Sequence, residues 1–442
     1  MATTAVVGGG MLGVVTALRL REAGEDVTLY EAAPELGGLA SAWTIDLADG
    51  STVTWDRHYH VTLQSDTATR RVLERLGLDD EARWAEVRTG YTAGGRIVPA
   101  NTPVDFLKLP GIGLLGKLRI GGTIWYGSRI RDGKRMERVL VDDWLRRWSG
   151  RKGFQRFWLP LLRAKLGDNH RVASAGFIWA TTQRLYRARR AGVSQDLFGY
   201  VPGGYGRVLG AAADLLAGLG VTLRLGARIE AIRRTDEGLV VDAGAGDQQA
   251  YERVVVTTAA PVASRLCGDE LADGERRLLD GVTYQGIVCA SLVLRRPLGE
   301  EYLTYITDPA SPFTAVVEMT ALIDPAEVGG HHLVYLPKYV TTDDPLLDSS
   351  DEEVREAFLP YLREIHPTFD PAADVLAFKV SRVRHVLAVT TLRYSDHEPP
   401  MRTSVPGLWL ASSANVVNGT LNVDETVQLA ERAVAEILAV PA

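Results

Sequence analysis

Apolar positions change period twice within the first thirty residues. A continuous apolar run over 4–7 predicts a short buried strand. Over 11–23 the apolar residues return at helical spacing, with Leu12, Val15, Leu18 and Leu20 marking one face, and Gly24 supplies the stop. A second strand is predicted over 27–30. A further helix follows over 65–76, ended by Gly77. From about 80 to 199 the chain reads as largely helical, with aromatic and basic residues interleaved. The alternation of strand and helix then resumes, with a helix over 208–219, a strand over 222–225 and a β-rich stretch at 231–234, 239–242 and 254–257. Alternating runs over 287–294, 315–319 and 332–336 predict a sheet in a second domain. A strand at 408–411, a loop and a helix over 424–440 close the chain.

The turn between the first strand and helix carries Gly8, Gly10 and Gly13 in the spacing GxGxxG. Gly8 permits a tight turn, Gly10 lets backbone approach a pyrophosphate, and Gly13 lets helix and strand pack closely. The helix start, at Met11 and Leu12, offers free N–H groups to phosphate oxygens. Glu31 ends the second strand, 18 residues beyond Gly13, where its carboxylate can accept ribose hydroxyls and would repel a 2′-phosphate. Strand, turn, helix, strand and acid in that order point to a dinucleotide and disfavour NADP. Gly37 and Gly38 follow soon after Glu31 and Ala32, so backbone can pass close to a ligand that continues beyond its pyrophosphate. An ordinary Gly-Gly turn is the alternative.

At 442 residues the chain calls for more than one core. The two cysteines, Cys267 and Cys289, are far apart, and the eight histidines match no metal-ligand spacing, so reduced thiols, no metal and a cytoplasmic protein are expected. The N-terminus has no basic leader, and no long uncharged apolar run suggests a membrane span. Charge is uneven. From Lys117 to Arg190 nineteen Lys or Arg stand against five Asp or Glu, although the whole chain carries −6. That asymmetry points to an anionic ligand or an anionic membrane surface, or to solvated helix faces; nucleic acid is not expected. The stretch 106–126 is apolar with Lys108, Lys117 and Arg119, which suits a monotopic membrane contact, a channel wall or a plain core helix.

The run Val6-Val7-Gly8-Gly9-Gly10 through Glu31-Ala32 to Gly37-Gly38 resembles the superfamily of flavin amine oxidases, phytoene desaturases and protoporphyrinogen oxidases. Three later stretches are similar to the same group: 200–205 through 225–229, the strand at 254–261, and the segment 408–435. The resemblance implies non-covalent FAD. Its flavin and ribityl parts would lie near Gly37, Gly38, Leu39 and Ala40, its adenine near the backbone of Ile229, and its pyrimidine side near Ser413, Asn422 and Val423, where the last helix begins. It also implies a discontinuous Rossmann-like FAD-binding domain of the glutathione-reductase type, over 1–65, 200–262 and 404–442. An α+β substrate domain on a mixed sheet would occupy 66–199 and 263–403, with 105–199 a basic helical part. The sequence departs from the group where Leu39 replaces a common Arg and where Ser412 and Ser413 replace a common acid.

For catalysis, His58 and His60 follow the paired glycine, in a loop that the resemblance brings near the flavin. Either suits a base near neutral pH, and a structural loop is the alternative. Lys165 suits a cation beside the flavin, and a surface lysine is its alternative. Glu318, Lys338 and Tyr339, at strand ends, are weaker candidates to line a pocket. Three functions stay open. The first is oxidation of a C–C or C–N bond in a small or lipid-like molecule. The second is non-redox chemistry on a nucleotide sugar, as in UDP-galactopyranose mutase. The third is a non-catalytic flavin protein at the inner face of a membrane. The sequence does not set the oligomeric state.

Overall fold

The computed structural model describes the chain except residues 1, 94–95, 102–104, 106–107, 109–110, 191–196, 418, 421 and 441–442, and the side chains of 184–190. A five-stranded sheet has the order Thr222–Leu225, Asp26–Glu31, Thr3–Val7, Arg253–Val256, Leu408–Leu410, and every neighbouring pair is parallel. Parallel neighbours need crossovers, and sheets of this kind are covered on both faces. On one face the helices Met11–Glu22, Gly204–Gly218 and Val423–Leu438 bury Val15, Leu18, Leu209, Leu216, Val427 and Ile437 in one apolar cluster. On the other a three-stranded antiparallel sheet, 231–251, contributes Ile232, Leu239 and Tyr251 to a second cluster. Strands from 3–31, 222–256 and 408–410 thus meet in one sheet. The helix Thr67–Arg75 lies beyond the expected boundary at 65, yet Ala68, Val72 and Leu73 pack into the first cluster. Asp424 fastens it there by accepting the N–H groups of Ala68 and Thr69 at 2.8 and 2.9 Å, a side chain from the last helix satisfying the free amides at the start of another.

A seven-stranded sheet forms the second layer, in the order Val375–Ala388, Tyr284–Leu294, His332–Thr341, Ala315–Glu318, Glu301–Tyr305, Arg88–Ala93, Arg96–Pro99. Glu301–Tyr305 and Arg88–Ala93 run parallel while the other pairs are antiparallel, so the sheet is mixed as expected. Strands at 83–99 correct the reading of 80–199 as largely helical. Tyr91 and Thr92 are buried at the sheet edge, and pairing there outweighs the helical tendency of the flanking residues. One sheet face packs on the helix Asp351–Ile365, through Val334, Leu336, Phe358 and Leu362. That helix begins at a capping box in which Ser350 and Glu353 bond reciprocally, a local signal present in the sequence but unused above. The other face carries Leu333, Tyr335 and Tyr339 toward Trp55 and Tyr59.

From 114 onward the basic segment is helical, with Leu114–Arg129, Val141–Gly153, Leu159–Leu166 and Gly176–Arg190 around Ile120, Leu145, Phe154 and Leu162. Among the described residues no helix is long and apolar enough to cross a membrane, and no group of three or more His, Cys, Asp or Glu could hold a metal ion.

Candidate active site

The glycine turn is forced by the protein at three positions and left open at a fourth. Gly8 has φ +115°, which side chains other than hydrogen rarely adopt. A Cβ on Gly13 would stand 1.8 Å from the Gly8 carbonyl oxygen, so the first helical turn can lie on the strand end only with glycine there. Gly9, to which the spacing gave no role, is confined as well, because a Cβ would come within 2.8 Å of the Glu31 side chain. Gly10 differs. Its φ is −70°, and a Cβ there would meet only Gly37 oxygen and Gly38 Cα, both at 4.0 Å. The fold does not require glycine at Gly10, and the open space above it is what a pyrophosphate needs. Met11 and Leu12, buried at the helix start, are packing residues on the side chain and offer only backbone to a ligand.

The paired glycine folds back onto this turn. Gly37 donates its N–H to Gly9 oxygen at 2.7 Å, and a Cβ on Gly38 would be 3.2 Å from Gly10 Cα. Gly37 and Gly38 have φ of +138° and +56°. The two glycine groups, separated by more than twenty residues, thus form one backbone-lined cradle. Glu31 is fixed at its edge, accepting N–H groups from Gly9 at 2.6 Å and Ala33 at 2.8 Å. The return segment passes beside it, with Gly226 N–H bonded to Ala33 oxygen and Ala227 N–H to Glu31 oxygen. The Ile229 side chain is buried in the core behind, which leaves its backbone as the part available to a ligand. Ala32 is exposed and Ala40 buried, at the two ends of the crossing from Glu31 to the paired glycine.

The loop after Asp56 ties the cradle to the second layer. His58 is buried and donates its Nδ1–H to the Leu39 carbonyl at 3.2 Å; its Nε2 and the Nε of Arg57 are buried without partners. Unpartnered buried polar atoms beside the cradle are what a polar ligand would satisfy. Burial, with the neighbouring His60 and Arg57 adding to it against the Leu39 carbonyl, pulls His58 down to about 4. His60 donates to the His58 carbonyl at 2.9 Å, and burial pulls it to about 4 as well. The reading of either as a base poised near neutral pH therefore meets an obstacle: both rings are neutral there and weakly basic. Tyr59, between them, points the other way. Its hydroxyl lies 3.3 Å from that of Tyr339, and the Lys165 ammonium sits 5.6 Å from its ring centre. Lys165, itself exposed, reaches this position because Gly167, with φ +53°, lets the end of its helix touch the strand; a Cβ there would be 2.3 Å from the Tyr339 carbonyl oxygen. Gln285 holds the same helix end by donating to the Lys165 carbonyl at 2.7 Å. Lys165 thus lies over the loop that carries His58, and Tyr59, Tyr335 and Gln285 join them without a local motif that could have singled them out.

Asp56 anchors the loop from below. Its carboxylate accepts the Tyr205 N–H at 2.7 Å, at the start of the helix Gly204–Gly218, and burial pushes it up to about 8 against the backbone N–H groups of Tyr205 and Gly206. Two weaker candidates fall elsewhere. Glu318 accepts the N–H groups of Leu298 and Gly299 at 3.1 and 3.0 Å, which makes it a loop anchor, and burial pushes it up to about 7. Lys338 alternates with Tyr339 and so belongs to the opposite sheet face. At the terminal loop, Ser412 accepts from Ala414 N–H, Ser413 bonds Tyr284 at 3.4 Å, and Asn422 caps the last helix, which starts at Val423, by accepting the Glu425 N–H at 3.0 Å. Asn418 and Leu421 of that loop, and Phe106 of the apolar stretch, lie outside the described residues. Cys267 and Cys289 are buried in apolar clusters.

Comparison with known proteins adds three findings. The family described as flavin containing amine oxidoreductase matches residues 13–438. Among curated proteins, a carotenoid phi-ring synthase of Streptomyces griseus is 45% identical over 140 residues, 31% of this chain and 26% of that protein. A protein of Synechococcus elongatus named probable zeta-carotene desaturase is 24% identical over 277 residues, 57% of this chain and 56% of its own length. The chain thus spans between about a quarter and just over half of these relatives. Among solved structures, reduced UDP-galactopyranose mutase superposes with a TM-score of 0.78 at 15% identity, covering 100% of this chain and 96% of that one, a likeness of fold.

Proposed function

Because the chain belongs to the flavin containing amine oxidoreductase family, we propose that it is an FAD-dependent oxidoreductase that removes two electrons from a C–C bond of an apolar, lipid-like molecule. FAD, when bound, supplies the two-electron acceptor. The observation that carries the reading is the loop 56–60, which joins the glycine cradle to an aromatic wall: His58 on Leu39, Tyr59 on Tyr339 and Lys165. Gly8, Gly10 and Gly13 would hold the pyrophosphate, Glu31 the adenosine ribose, and Gly37 to Ala40 the flavin side of the ligand. The start of the last helix, at Asn422 and Val423, would offer positive partial charge to the pyrimidine side of that ligand.

The substrate side is the end of that face of the mixed sheet where Tyr339 meets Tyr59, in front of the buried Tyr335. Burial pushes the phenols of Tyr59 and Tyr339 up, so both stay protonated and present neutral, largely apolar rings. Such a wall orients a hydrocarbon and excludes water. The overall change would be loss of a hydride from one carbon, which bound FAD would accept, and of a proton from its neighbour, which passes on to bulk water, leaving a double bond between the two carbons; oxygen or another acceptor would take the two electrons onward. Lys165 provides the cation that offsets negative charge gained in this step, and the neutral His58 and His60 position the loop. The two curated relatives, both named for carotenoid chemistry, favour C–C over C–N oxidation. The same lipid-like substrate favours a protein in the cytoplasm that touches the inner face of a membrane.

The test is anaerobic mixing of purified, flavin-loaded protein with a polyene, an amine and a porphyrinogen in turn. Bleaching of the visible flavin band by the polyene is expected. Bleaching by the amine alone would move the reaction to C–N bonds. Turnover of a nucleotide sugar with no net reduction would replace the reading with a non-redox one.

A further inference from the structure

The helix Leu114–Arg129 is apolar on both faces: Ile120 is buried in the core of the helical part, with Ile124 and Tyr126 packed beside it, and a second apolar face is turned outward. Leu114, Leu115 and Leu118 are 68%, 72% and 63% exposed and Trp125 is 54% exposed, while Lys117 and Thr123 are buried. Leu114, Leu118 and Trp125 are spaced four and seven residues apart, so they share one face of the helix. Gly121 and Gly122 lie between them, with no atom within 4 Å of where a Cβ would stand. A surface helix of a globular protein turns its leucines inward; this one turns them to solvent. Trp148, on the neighbouring helix, continues the strip, its ring 4.5 Å from that of Tyr126.

The second observation is charge. Between Gly111 and Arg131 the exposed charged residues are Arg119, Arg129 and Arg131, Lys117 being buried, and there is no acid. Arg119 donates to the carbonyls of Trp148 and Arg147 at 3.0 and 2.9 Å, and this brings the exposed Arg147, Arg151 and Lys152 to the same side. Arg129 lies over the Trp125 ring at 4.8 Å. The strip is therefore apolar along its middle and cationic at its margin, on a chain whose total charge is negative. A second copy of the chain would set these cations against one another. A bilayer with anionic headgroups meets both parts at once, its acyl boundary taking the leucines and tryptophan and its headgroups the arginines.

We infer that this face is a monotopic docking surface for anionic membrane lipid. The inference deepens the lipid-side part of the proposed function and rests on it only for the purpose of docking, since the geometry of the face is independent of the redox step. No described helix crosses a bilayer, so the chain lies on the membrane through this helix and its neighbour.

The experiment is sedimentation of the full, flavin-loaded chain with vesicles of phosphatidylcholine alone or with about one third phosphatidylglycerol, the anionic lipid being expected to tighten binding about tenfold or more. Salt is expected to weaken binding, because exposed charges are screened. Leu115→Glu with Leu118→Glu should abolish it, with flavin content and thermal midpoint unchanged because both side chains are exposed. Arg147→Gln with Arg151→Gln should remove the preference for the anionic lipid. Binding that is unchanged by the leucine pair, or absent altogether, overturns the inference. So does a dimer in ultracentrifugation that the leucine pair converts to monomer, which would give the face to a second copy. Vesicle binding without flavin reduction by any polyene leaves the docking surface standing and removes the redox reading alone.

Discussion

The two sides of the candidate site are built from different materials. The side proposed for the cofactor is backbone: five glycines, one carboxylate and the ends of two helices, nearly all within the first forty residues. The side proposed for the substrate is side chains delivered from a loop at 56–60, a helix end at Lys165 and strands at Gln285 and Tyr335 to Tyr339. Backbone sites depend on spacing and tolerate almost no added atoms. Side-chain sites depend on the packing of distant elements and can change chemistry without disturbing the fold. The same chain can thus keep its cofactor grip while its substrate face varies.

Substitutions can break that contrast. Gly13→Ala should have the largest effect, because its Cβ would stand 1.8 Å from Gly8 oxygen; little folded, flavin-bearing protein is expected from expression. Gly10→Val should fold, since the protein leaves open space there, yet weaken FAD by about a hundredfold or more, roughly 3 kcal/mol, as read by equilibrium dialysis. Lys165→Met should retain flavin and, if the proposed role holds, slow its reduction by about 10- to 100-fold through loss of that charge, in stopped-flow mixing. Retention of the full rate would return Lys165 to a surface role.

The smallest effect is on pH. A carboxyl whose folded pKa is raised loses stability as pH rises from its unfolded value through the folded one. Asp56, at about 8, and Glu318, at about 7, both behave so. His58 and His60, pulled to about 4, act in the opposite sense, withdrawing stability as pH falls from their unfolded value near 6.5. Between 7 and 8 Asp56 is thus the main contributor of these four, at no more than about 1.4 kcal/mol per pH unit. The thermal midpoint should fall across that interval, and Asp56→Asn should flatten the fall while keeping an acceptor for the Tyr205 N–H. An equal slope in the variant would contradict the burial argument.

Legibility in the sequence followed the same division. The cradle was readable because a strand, three spaced glycines, a helix and Glu31 are local and each has one steric or electrostatic purpose. Even there, Gly9 escaped notice, since only the folded Glu31 and Leu36 side chains show that its Cβ has no room. The mixed sheet was readable from alternation, but the strands at 83–99 were hidden in a segment judged by its helical and basic neighbours. Tyr59 and Gln285 carry no spacing signal, because what gives them a role is a partner over a hundred residues away. The histidines were visible, but their low basicity is a product of burial, which composition does not reveal.

The most direct trial of the account is the flavin content of wild type and Gly10→Val, purified side by side and compared with their thermal midpoints after flavin removal. An FAD-loaded wild type, a flavin-free variant and matching midpoints of the stripped proteins are expected. A variant that keeps its full complement of FAD would contradict the assignment of the space above Gly10 to the cofactor.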